Sequence, residues 1–242
     1  LIANKVDDAS LTTIPGANTT LAFAWKDAQG DGFFRILRMA DLLLDTAQID
    51  AADIPGRAAI VMGSVGLTDE PSRSALYYAA DQAKKAGVPV VFDINIRASL
   101  WQSAEAARVA CHPLLDRATI LKLSIDDARF LFELDDPADI FAIKSARNRI
   151  VLLTDGARGA WFKDAENRIQ HVPAHPIEAV EPTGAGDAFT ASIISRYLAS
   201  GAPPTRDDVV FAAAAGAITA TRIGAIASLP YFSEIEAFLG RS

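Results

Sequence analysis

The sequence predicts an α/β protein in which helices cover both faces of a mostly parallel sheet. After Pro55, short apolar runs alternate with longer segments in which apolar residues recur at helical spacing. Continuous apolar strands alternating with helices are typical of a parallel sheet buried on both faces. The 242 residues fit one domain, or one domain with a small appendage, and the 50% hydrophobic content is ample for a large core.

The amino-acid composition excludes several kinds of binding partner and site. The net charge is −7 and there is no basic tract, so we expect neither a nucleic-acid partner nor an anionic membrane partner. Cys111 is the only cysteine, which excludes an internal disulfide framework and a multi-cysteine zinc site. The apolar run Val209–Ala220 is too short to span a bilayer. These features predict a protein of the reducing cytoplasm.

Residues 12–37 stand apart from the rest of the chain. Thr19–Trp25 and Phe33–Leu37 are strand-like, and turn-forming residues at 27–32 separate them, which predicts a β-hairpin. A hairpin alone is marginally stable, so it must pack on something. We therefore predict a first region at residues 1–54, containing a small β lid at about 12–37, and an α/β core at residues 55–242.

The core elements follow in order. Pairs of strands and helices alternate until a second hairpin interrupts the pattern, and three helices end the chain. The predicted strands are Ala58–Met62, Val88–Asp93, Thr119–Leu123, Arg149–Thr154 and the hairpin Ala160–Lys163 with Arg168–Val172. The predicted helices are 71–86, 104–117 with a break near Pro113, Asp126–Leu134, Ala138–Ala146, one beginning near Gly184, Arg206–Thr219 and Ser233–Leu239. In parallel sheets ligands bind beyond the carboxyl ends of the strands.

The stretch Glu181–Phe189 carries the most specific pattern. A proline is followed by small residues and then by an apolar run at helical spacing, so a helix begins at or near Gly184. The first amides of a helix lack intrahelical acceptors and lie at the positive end of the helix dipole, so they suit a phosphate or a developing oxyanion. Asp187 adds a potential base in the first turn. Taken alone, however, the same residues also fit a tight turn with an acid that complements the dipole.

Polar residues follow two other predicted strands. Asp93, Asn95 and Arg97 offer a carboxylate, an amide and a guanidinium, which suit sugar hydroxyls and phosphate, or else form an ordinary strand-end turn. Ser124 and Asp127 have the spacing of a capping box, which is sufficient to explain them; the functional alternative brings Ser124 near phosphate and Asp127 near a magnesium-bound water.

Two further segments suit a nucleotide. Thr154 ends a strand and Gly156 and Gly159 follow it, so a hydroxyl and bare backbone could approach phosphates, although a glycine turn explains them equally. Small residues run along the helix Phe211–Ala217, before Gly224, which favours close helix packing or a flat slot for a base. The three histidines (His112, His171 and His175) have no metal-ligand spacing and are interpreted as structural or surface residues. The Gly-Ser-x-Gly at 63–66 lacks the three-glycine spacing of a dinucleotide site.

Together these motifs resemble the ribokinase-like carbohydrate kinases, the PfkB family. The resemblance runs from about Thr12 to the C-terminus. It rests on the order of Gly-Ser-x-Gly-Leu at 63–67, Phe-Asp-x-Asn-x-Arg at 92–97 with Leu100-Trp101, Thr-x-Gly-x-x-Gly at 154–159, Pro-Thr-Gly-Ala-Gly-Asp-Ala-Phe at 182–189 and Gly-Ala at 224–225. Only the core at 183–189 is specific by itself. Within the family, Thr19–Phe23 and the segment Asp93–Trp101 look most like bacterial fructokinases, and the 2-keto-3-deoxygluconate kinases are similar as well.

The resemblance implies a three-layer α/β/α fold with a β lid over the sugar, and a role for each matching residue. Asp187 would accept the proton of the attacking hydroxyl, and the amides of Gly184, Ala185 and Gly186 would bind the transferred phosphoryl group. Arg97 and Asn95 would face the sugar or the phosphoryl group. Ser124, Thr154, Gly156 and Gly159 would lie along ATP, Asp127 near Mg²⁺, and Ala213, Ala217 and Gly224 beside adenine. In many relatives such a lid also forms a dimer contact, which implies a homodimer.

The chain departs from the family pattern at several positions. Glu181 stands where the family usually has Asp, at a position that borders a monovalent-cation site in some members, so K⁺ dependence stays open. Ser124 replaces a frequent Asn, Asp127 a frequent Glu and Ile94 a frequent Pro. The family's first strands, its Gly-Gly motif and an acid that grips the sugar are not found before Thr12, and the sequence is abrupt around Asn4–Val6 and Arg38–Met39. We therefore expect that residues of the natural protein are missing from this sequence.

The sequence thus predicts an ATP- and Mg²⁺-dependent kinase acting on a sugar hydroxyl, most simply a fructokinase. Within the same class, a 2-keto-3-deoxygluconate kinase or another ribokinase-like sugar or nucleoside kinase is the alternative. A non-catalytic relative that binds a sugar or nucleotide is the alternative from a different class. The intact Asp187 and Gly184–Gly186 favour an enzyme, whereas the missing N-terminal segment favours the binding protein.

Overall fold

A computed structural model describes residues 4–26, 32–146 and 149–241 of the chain. These residues form two compact units, Leu1–Ala118 and Thr119–Ser242. The predicted boundary between residues 54 and 55 stays a prediction. Among the described residues, no helix is both long and apolar enough to cross a membrane.

The first unit begins with the predicted hairpin. Strands β1 (Leu21–Lys26) and β2 (Gly32–Leu37) pair in antiparallel register, with Leu21 opposite Leu37. The hairpin is therefore confirmed, while residues 27–31 of its predicted turn at 27–32 lie outside the described residues. At its base, Arg38 donates from Nη1 to the carbonyl oxygen of Val65 and to Thr68 Oγ1, at 2.7 Å each. These bonds tie the end of β2 to the segment that follows the next strand.

The rest of the first unit alternates strands and helices. Strands β3 (Ile60–Gly63) and β4 (Val90–Asp93) are parallel, with Gly63 opposite Asp93. Helices α1 (Thr46–Ala51), α2 (Ser72–Ala86) and α3 (Ala104–Leu115) complete the unit. The short α1 was not predicted, although its capping box of Asp45 and Gln48 is a recognisable start signal.

The predicted break near Pro113 is wrong, because α3 runs through this proline to Leu115. Pro113 lies in the last turn, so it removes a single helical hydrogen bond. Leu114 and Leu115 are buried and anchor that turn in the core. Burial here outweighs the local cost of the proline.

The second unit contains a mixed sheet. Strands β5 (Ile120–Ser124) and β6 (Ile150–Thr154) are parallel. Strands β7 (Ala160–Lys163) and β8 (Ile169–Val172) follow as an antiparallel hairpin, and β7 also pairs antiparallel with β6. The predicted second hairpin is confirmed. Within this unit β5 and β6 pair in parallel, and the predicted hairpin contributes the antiparallel strands.

Among its described residues, the second unit contains five α-helices. They are α4 (Ile125–Phe132), α5 (Pro137–Ala142), α6 (Ala185–Ser200), α7 (Arg206–Ala220) and α8 (Phe232–Phe238). Helices α6 and α7 approach closely because Gly216 of α7 has no side chain: a Cβ there would lie 3.1 Å from the carbonyl oxygen of Ala185. Ala188, Phe211, Ala214, Ala215, Ile218 and Ile235 form the buried cluster between α6, α7 and α8. This packing fixes the first turn of α6 against α7.

Candidate active site

Helix α6 begins at a glycine that no other residue can easily replace. Gly184 is the N-cap residue and has φ 86°, in the left-handed region. A Cβ at Gly184 would also lie only 3.2 Å from the carbonyl oxygen of Ala225. No side chain caps this end of the helix. The predicted helix start is thus confirmed, and access to its first amides is unobstructed by a capping group.

The amides of this turn differ in what they bind. The N–H of Ala185 donates to the carbonyl oxygen of Pro182 at 3.1 Å, which closes the turn before the helix. Within the described part of the chain, the N–H groups of Gly186 and Asp187 have no acceptor. Asp187 is exposed, and it is the acid of the first turn. Two amides and a carboxylate are therefore presented together at the positive end of the helix dipole.

The loop behind this turn is held by Glu181. Its Oε2 accepts a hydrogen bond from the N–H of Gly224 at 2.9 Å, while the N–H of Glu181 donates to the carbonyl oxygen of Ala220 at 3.1 Å. Gly224 has φ 93° and precedes Ala225, whose carbonyl oxygen would lie 3.2 Å from a Cβ at Gly184. The carboxylate of Glu181 therefore connects the front of the motif to the loop after α7.

One face of α7 is only partly buried. Ala213 and Ala217 lie four residues apart on this face and are of intermediate exposure, whereas Ala214, Ala215 and Ile218 are buried. Their spacing places two methyl groups in line, as a flat apolar surface requires. The predicted roles of Ala213, Ala217 and Gly224 beside adenine stay predictions.

The start of α4 is closed by its own side chains. Asp127 Oδ2 accepts from the N–H of Ser124 at 2.7 Å and from Ser124 Oγ at 2.8 Å. The N–H of Asp127 donates in return to Ser124 Oγ at 3.0 Å. The predicted capping box is confirmed. The further roles assigned to Ser124 near phosphate and to Asp127 near Mg²⁺ stay predictions.

Thr154 and its glycines lie next to that cap. Thr154 ends β6 and is the register partner of Ser124, so two hydroxyls end neighbouring parallel strands. Gly156 and Gly159 have φ 49° and 96°, and a Cβ at Gly159 would lie 2.1 Å from the carbonyl oxygen of Val172. Between them, the exposed Arg158 donates to Asp155 Oδ1 at 2.9 Å, and this pairing raises the pKa of the guanidinium. The glycines after Thr154 therefore present backbone without side chains next to the hydroxyls of Thr154 and Ser124.

In the first unit, Asn95 and Arg97 are held together. Arg97 Nη1 donates to Asn95 Oδ1 at 2.6 Å and to the carbonyl oxygen of Ile96 at 3.1 Å. Asn95 has φ 44°, a conformation that asparagine tolerates better than most residues. Asp93, just before them, is buried. The amide of Asn95 and the guanidinium of Arg97 therefore form a hydrogen-bonded pair directly after β4.

The described residues contain no cluster of three His, Cys, Asp or Glu side chains with metal-ligand geometry. The histidines have packing contacts instead. His171 packs on Trp161 with ring centroids 4.4 Å apart, and His175 meets Phe238 edge-on at 5.2 Å. These contacts fit the structural interpretation of both side chains.

One buried residue near the site was not recognised from the sequence. Lys122 lies in β5 and is only 5% exposed, and its Nζ would be 3.2 Å from a Cβ at Gly186. The sequence does contain a signal for it, because a lysine within an otherwise apolar strand of a parallel sheet is expected to be buried, and charged residues are rarely buried without a reason. Sequence reasoning could not show that its ammonium group reaches the first turn of α6.

Comparisons with known proteins agree with this geometry. The model of the pfkB family carbohydrate kinases matches residues 1–231. Fructokinase-1 of rice (Oryza sativa subsp. japonica) is 36% identical over 244 residues, which cover 96% of this chain and 74% of the rice protein.

Solved structures agree as well. The fructokinase of Vibrio cholerae O395, in its fructose-, ADP- and calcium-bound form, aligns with a TM-score of 0.85 and 26% identity over 98% of this chain and 79% of its own. The fructokinase of Xylella fastidiosa, with bound ATP, aligns with a TM-score of 0.81 and 25% identity over 94% of this chain and 75% of its own. The predicted ribokinase-like α/β fold is confirmed.

Proposed function

The chain belongs to the pfkB family of carbohydrate kinases and is an ATP-dependent sugar kinase, and we propose that its acceptor is fructose. The choice of sugar is supported by the rice and Vibrio proteins, both of which are fructokinases. The observation that carries the chemistry is the uncapped start of α6, with two amides lacking acceptors in the described chain and an exposed carboxylate in the same turn.

Phosphoryl transfer needs positioning and charge stabilisation more than covalent help from the protein. In our proposal the sugar oxygen bonds to the γ-phosphorus, the bond from that phosphorus to the bridging oxygen breaks, and ADP leaves. Asp187 orients the hydroxyl and takes its proton as the new bond forms. The amides of Gly186 and Asp187 hold the transferred group, and Gly184 and Ala185 shape the turn that presents them.

ATP supplies the phosphoryl group, and Mg²⁺ neutralises charge on its phosphates. We propose that Ser124, Thr154, Gly156 and Gly159 line the phosphates and that Ala213, Ala217 and Gly224 border the base. Asp127 would hold Mg²⁺ through water, because its Oδ2 already accepts two hydrogen bonds from Ser124. Mg²⁺ normally retains several waters and needs only one or two carboxylates beside the phosphates, so this residue set fits the ion.

The sugar would be recognised by Asn95 and Arg97, whose mutual hydrogen bond fixes the guanidinium in one direction. The β1–β2 hairpin would exclude water, which competes with the sugar as the acceptor. A homodimer through this hairpin and a cytoplasmic location are further parts of the proposal.

A panel of acceptors tests the proposal. ADP release is followed with fructose, 2-keto-3-deoxygluconate, ribose and a nucleoside, at saturating MgATP. We expect fructose to give the highest kcat/KM. A higher kcat/KM with another acceptor would show that the chain is a sugar kinase with a substrate other than fructose. Binding of sugar and nucleotide without turnover of any acceptor would favour a non-catalytic binding protein.

A further inference from the structure

Arg38 is a buried charge directly after the β1–β2 hairpin. Its side chain is 8% exposed, and its Nε pairs with the carboxylate of Asp41, three residues later. Replacing a buried ion pair by apolar residues of the same volume is often neutral or stabilising, so stability alone does not explain this pair. A guanidinium does provide one defined geometry, because it binds several acceptors in fixed directions.

The hairpin side of this contact is held by the same carboxylate. Asp41 Oδ1 accepts from the N–H of Met39 at 3.0 Å and from the hydroxyl of Thr20. Thr20 Oγ1 also accepts from the N–H of Met39, at 3.0 Å. Thr20 lies just before β1, and Met39 lies two residues after β2. Asp41 therefore connects the residues that flank both strands to the guanidinium of Arg38.

The guanidinium also binds the segment that follows β3. Its Nη1 donates to the carbonyl oxygen of Val65 and to Thr68 Oγ1, at 2.7 Å each. Ser64, the residue before Val65, is fully buried, and its N–H donates to the carbonyl oxygen of Ile94 at 3.2 Å. Ser64 Oγ donates to the carbonyl oxygen of Asn95 at 3.4 Å. A short hydrogen-bonded path therefore connects the base of the hairpin to the turn after β4.

We propose that Arg38 is a positioning residue that sets the hairpin relative to Asn95 and Arg97, the proposed sugar contacts. The path from the guanidinium runs through Val65 and Ser64 to the backbone of Asn95. The hairpin therefore keeps one position relative to the groups that recognise the sugar, without direct contact between Arg38 and the sugar. This role rests on the proposed function, because it assumes that Asn95 and Arg97 bind the sugar and that the hairpin covers it.

Arg73 provides a matched control, because it binds the same segment from helix α2. Its Nε donates to the carbonyl oxygen of Leu67 at 2.7 Å, and its Nη2 donates to that of Thr68 at 2.6 Å. Arg38→Met and Arg73→Met each remove two hydrogen bonds to this segment, so both should lower the melting temperature. Only Arg38→Met also breaks the connection to the hairpin.

The two variants should differ in their use of the sugar. Arg38→Met should raise the KM for the sugar about tenfold, because misplaced groups lose contacts to it, while the KM for ATP stays within about twofold. Arg73→Met should change both KM values by less than about twofold. Turnover is followed with the acceptor that gives the highest kcat/KM for the parent protein, so the comparison does not depend on fructose. Equal KM values for the sugar in the two variants would overturn the proposal.

Two conservative variants distinguish geometry from charge. Arg38→Lys keeps the charge but lacks the planar fork, so the KM for the sugar should rise nearly as much as in Arg38→Met. Thr68→Val removes one acceptor of Nη1 and should raise this KM about threefold. Because Arg38 and Thr68 share a bond, adding Thr68→Val to Arg38→Met should cause no further increase. A parent-like KM in Arg38→Lys, or additive effects in the combined variant, would contradict the proposal. If Arg38→Met does not fold, as judged by circular dichroism, Arg38→Lys replaces it.

Hydrogen exchange separates this inference from the identity of the reaction. Without ligand, the interstrand amides of β1 and β2 should exchange about tenfold faster in Arg38→Met than in the parent protein, because the base of the hairpin is released. Arg73→Met should leave these rates within about twofold. If no sugar is phosphorylated, the proposed activity fails, and the dissociation constant of the sugar replaces its KM in the same comparison. Equal exchange rates in the two variants would reject the role of Arg38 whatever the sugar.

Discussion

Helices α4 and α6 place an aspartate at the same position and use it in opposite ways. Asp127 lies three residues after the N-cap Ser124, and Asp187 lies three residues after the N-cap Gly184. Asp127 folds back onto Ser124 and is buried, whereas Asp187 is exposed and its carboxylate accepts no hydrogen bond within the described part of the chain. The side chain of the N-cap residue accounts for the difference. The Ser124 hydroxyl bonds to the N–H and the carboxylate of Asp127, whereas Gly184 has no side chain that could bond to the first turn of α6.

A third helix shows that the closed arrangement is the ordinary one. Thr205 caps α7, and Asp208 three residues later accepts from the N–H and the Oγ1 of Thr205 at 2.8 and 2.7 Å. Such caps typically contribute about 0.5–2 kcal/mol. Helix α6 forgoes this stabilisation at its start, which is what a site that must bind an external anion requires.

The largest effect is expected from removing the open carboxylate. Asp187→Ala should lower kcat about 10³-fold, within the range for loss of a general base. Unfolding free energy should change by less than about 0.5 kcal/mol, because an exposed side chain without bonds is lost. Coupled ADP release and thermal melts measure both.

Asp208→Ala serves as the control for that variant. It should lower stability by about 1 kcal/mol with little change in kcat, since Asp208 belongs to the cap of α7. If the two variants had equal kcat values, Asp187 would not be the base.

The next effect comes from giving α6 the cap residue of α4. Gly184→Ser adds a side chain at φ 86°, 3.2 Å from the carbonyl oxygen of Ala225. The strain should lower the free energy of unfolding by about 1–3 kcal/mol. The displaced turn should lower kcat at least about tenfold, as misplaced donors do. Retention of full activity by this variant would show that the open turn is not needed.

A smaller effect should distinguish the two closed caps. Ser124→Ala and Thr205→Ala each remove one cap and should each cost about 1 kcal/mol in urea unfolding. Only Ser124→Ala should also raise the KM for ATP, by a few-fold, because we propose that Ser124 lies along the phosphates. Equal KM values for ATP in the two variants would show that Ser124 only caps α4 and does not contact the phosphates.

The smallest effect concerns monovalent cations. Because the carboxylate of Glu181 already accepts a hydrogen bond from Gly224, we expect little need for an ion to hold this loop. Turnover with choline in place of K⁺ should stay within about threefold at constant ionic strength. A loss of tenfold or more would show that an ion completes the loop despite Glu181.

Local signals allowed much of the fold to be predicted from the sequence. The strand β6 and the cap of α4 were predictable because apolar runs and Ser-x-x-Asp spacing act over a few residues. The start of α6 was predictable from small residues before a helical stripe. The break at Pro113 was predicted wrongly, because burial of Leu114 and Leu115 is a tertiary effect.

The site was predictable in part. Its residue types predict roles for Asp187 and the glycines, since phosphate chemistry needs accessible amides and a base, and these roles stay predictions. The bond of Ala185 to Pro182, the link between Glu181 and Gly224 and the approach of Lys122 to Gly186 could not be predicted. All three depend on how the backbone folds in the turn or on contacts between distant segments, and a local sequence pattern does not determine these.

We propose that the amides at the start of α6 bind the transferred phosphoryl group. ¹⁵N–¹H correlation spectra recorded with and without ADP–aluminium fluoride and fructose report on this binding at each amide. We predict large downfield shifts for the amide protons of Gly186 and Asp187, and almost none for Asp208, whose N–H already donates to Thr205. Unchanged resonances of Gly186 and Asp187 in the saturated complex would contradict the account.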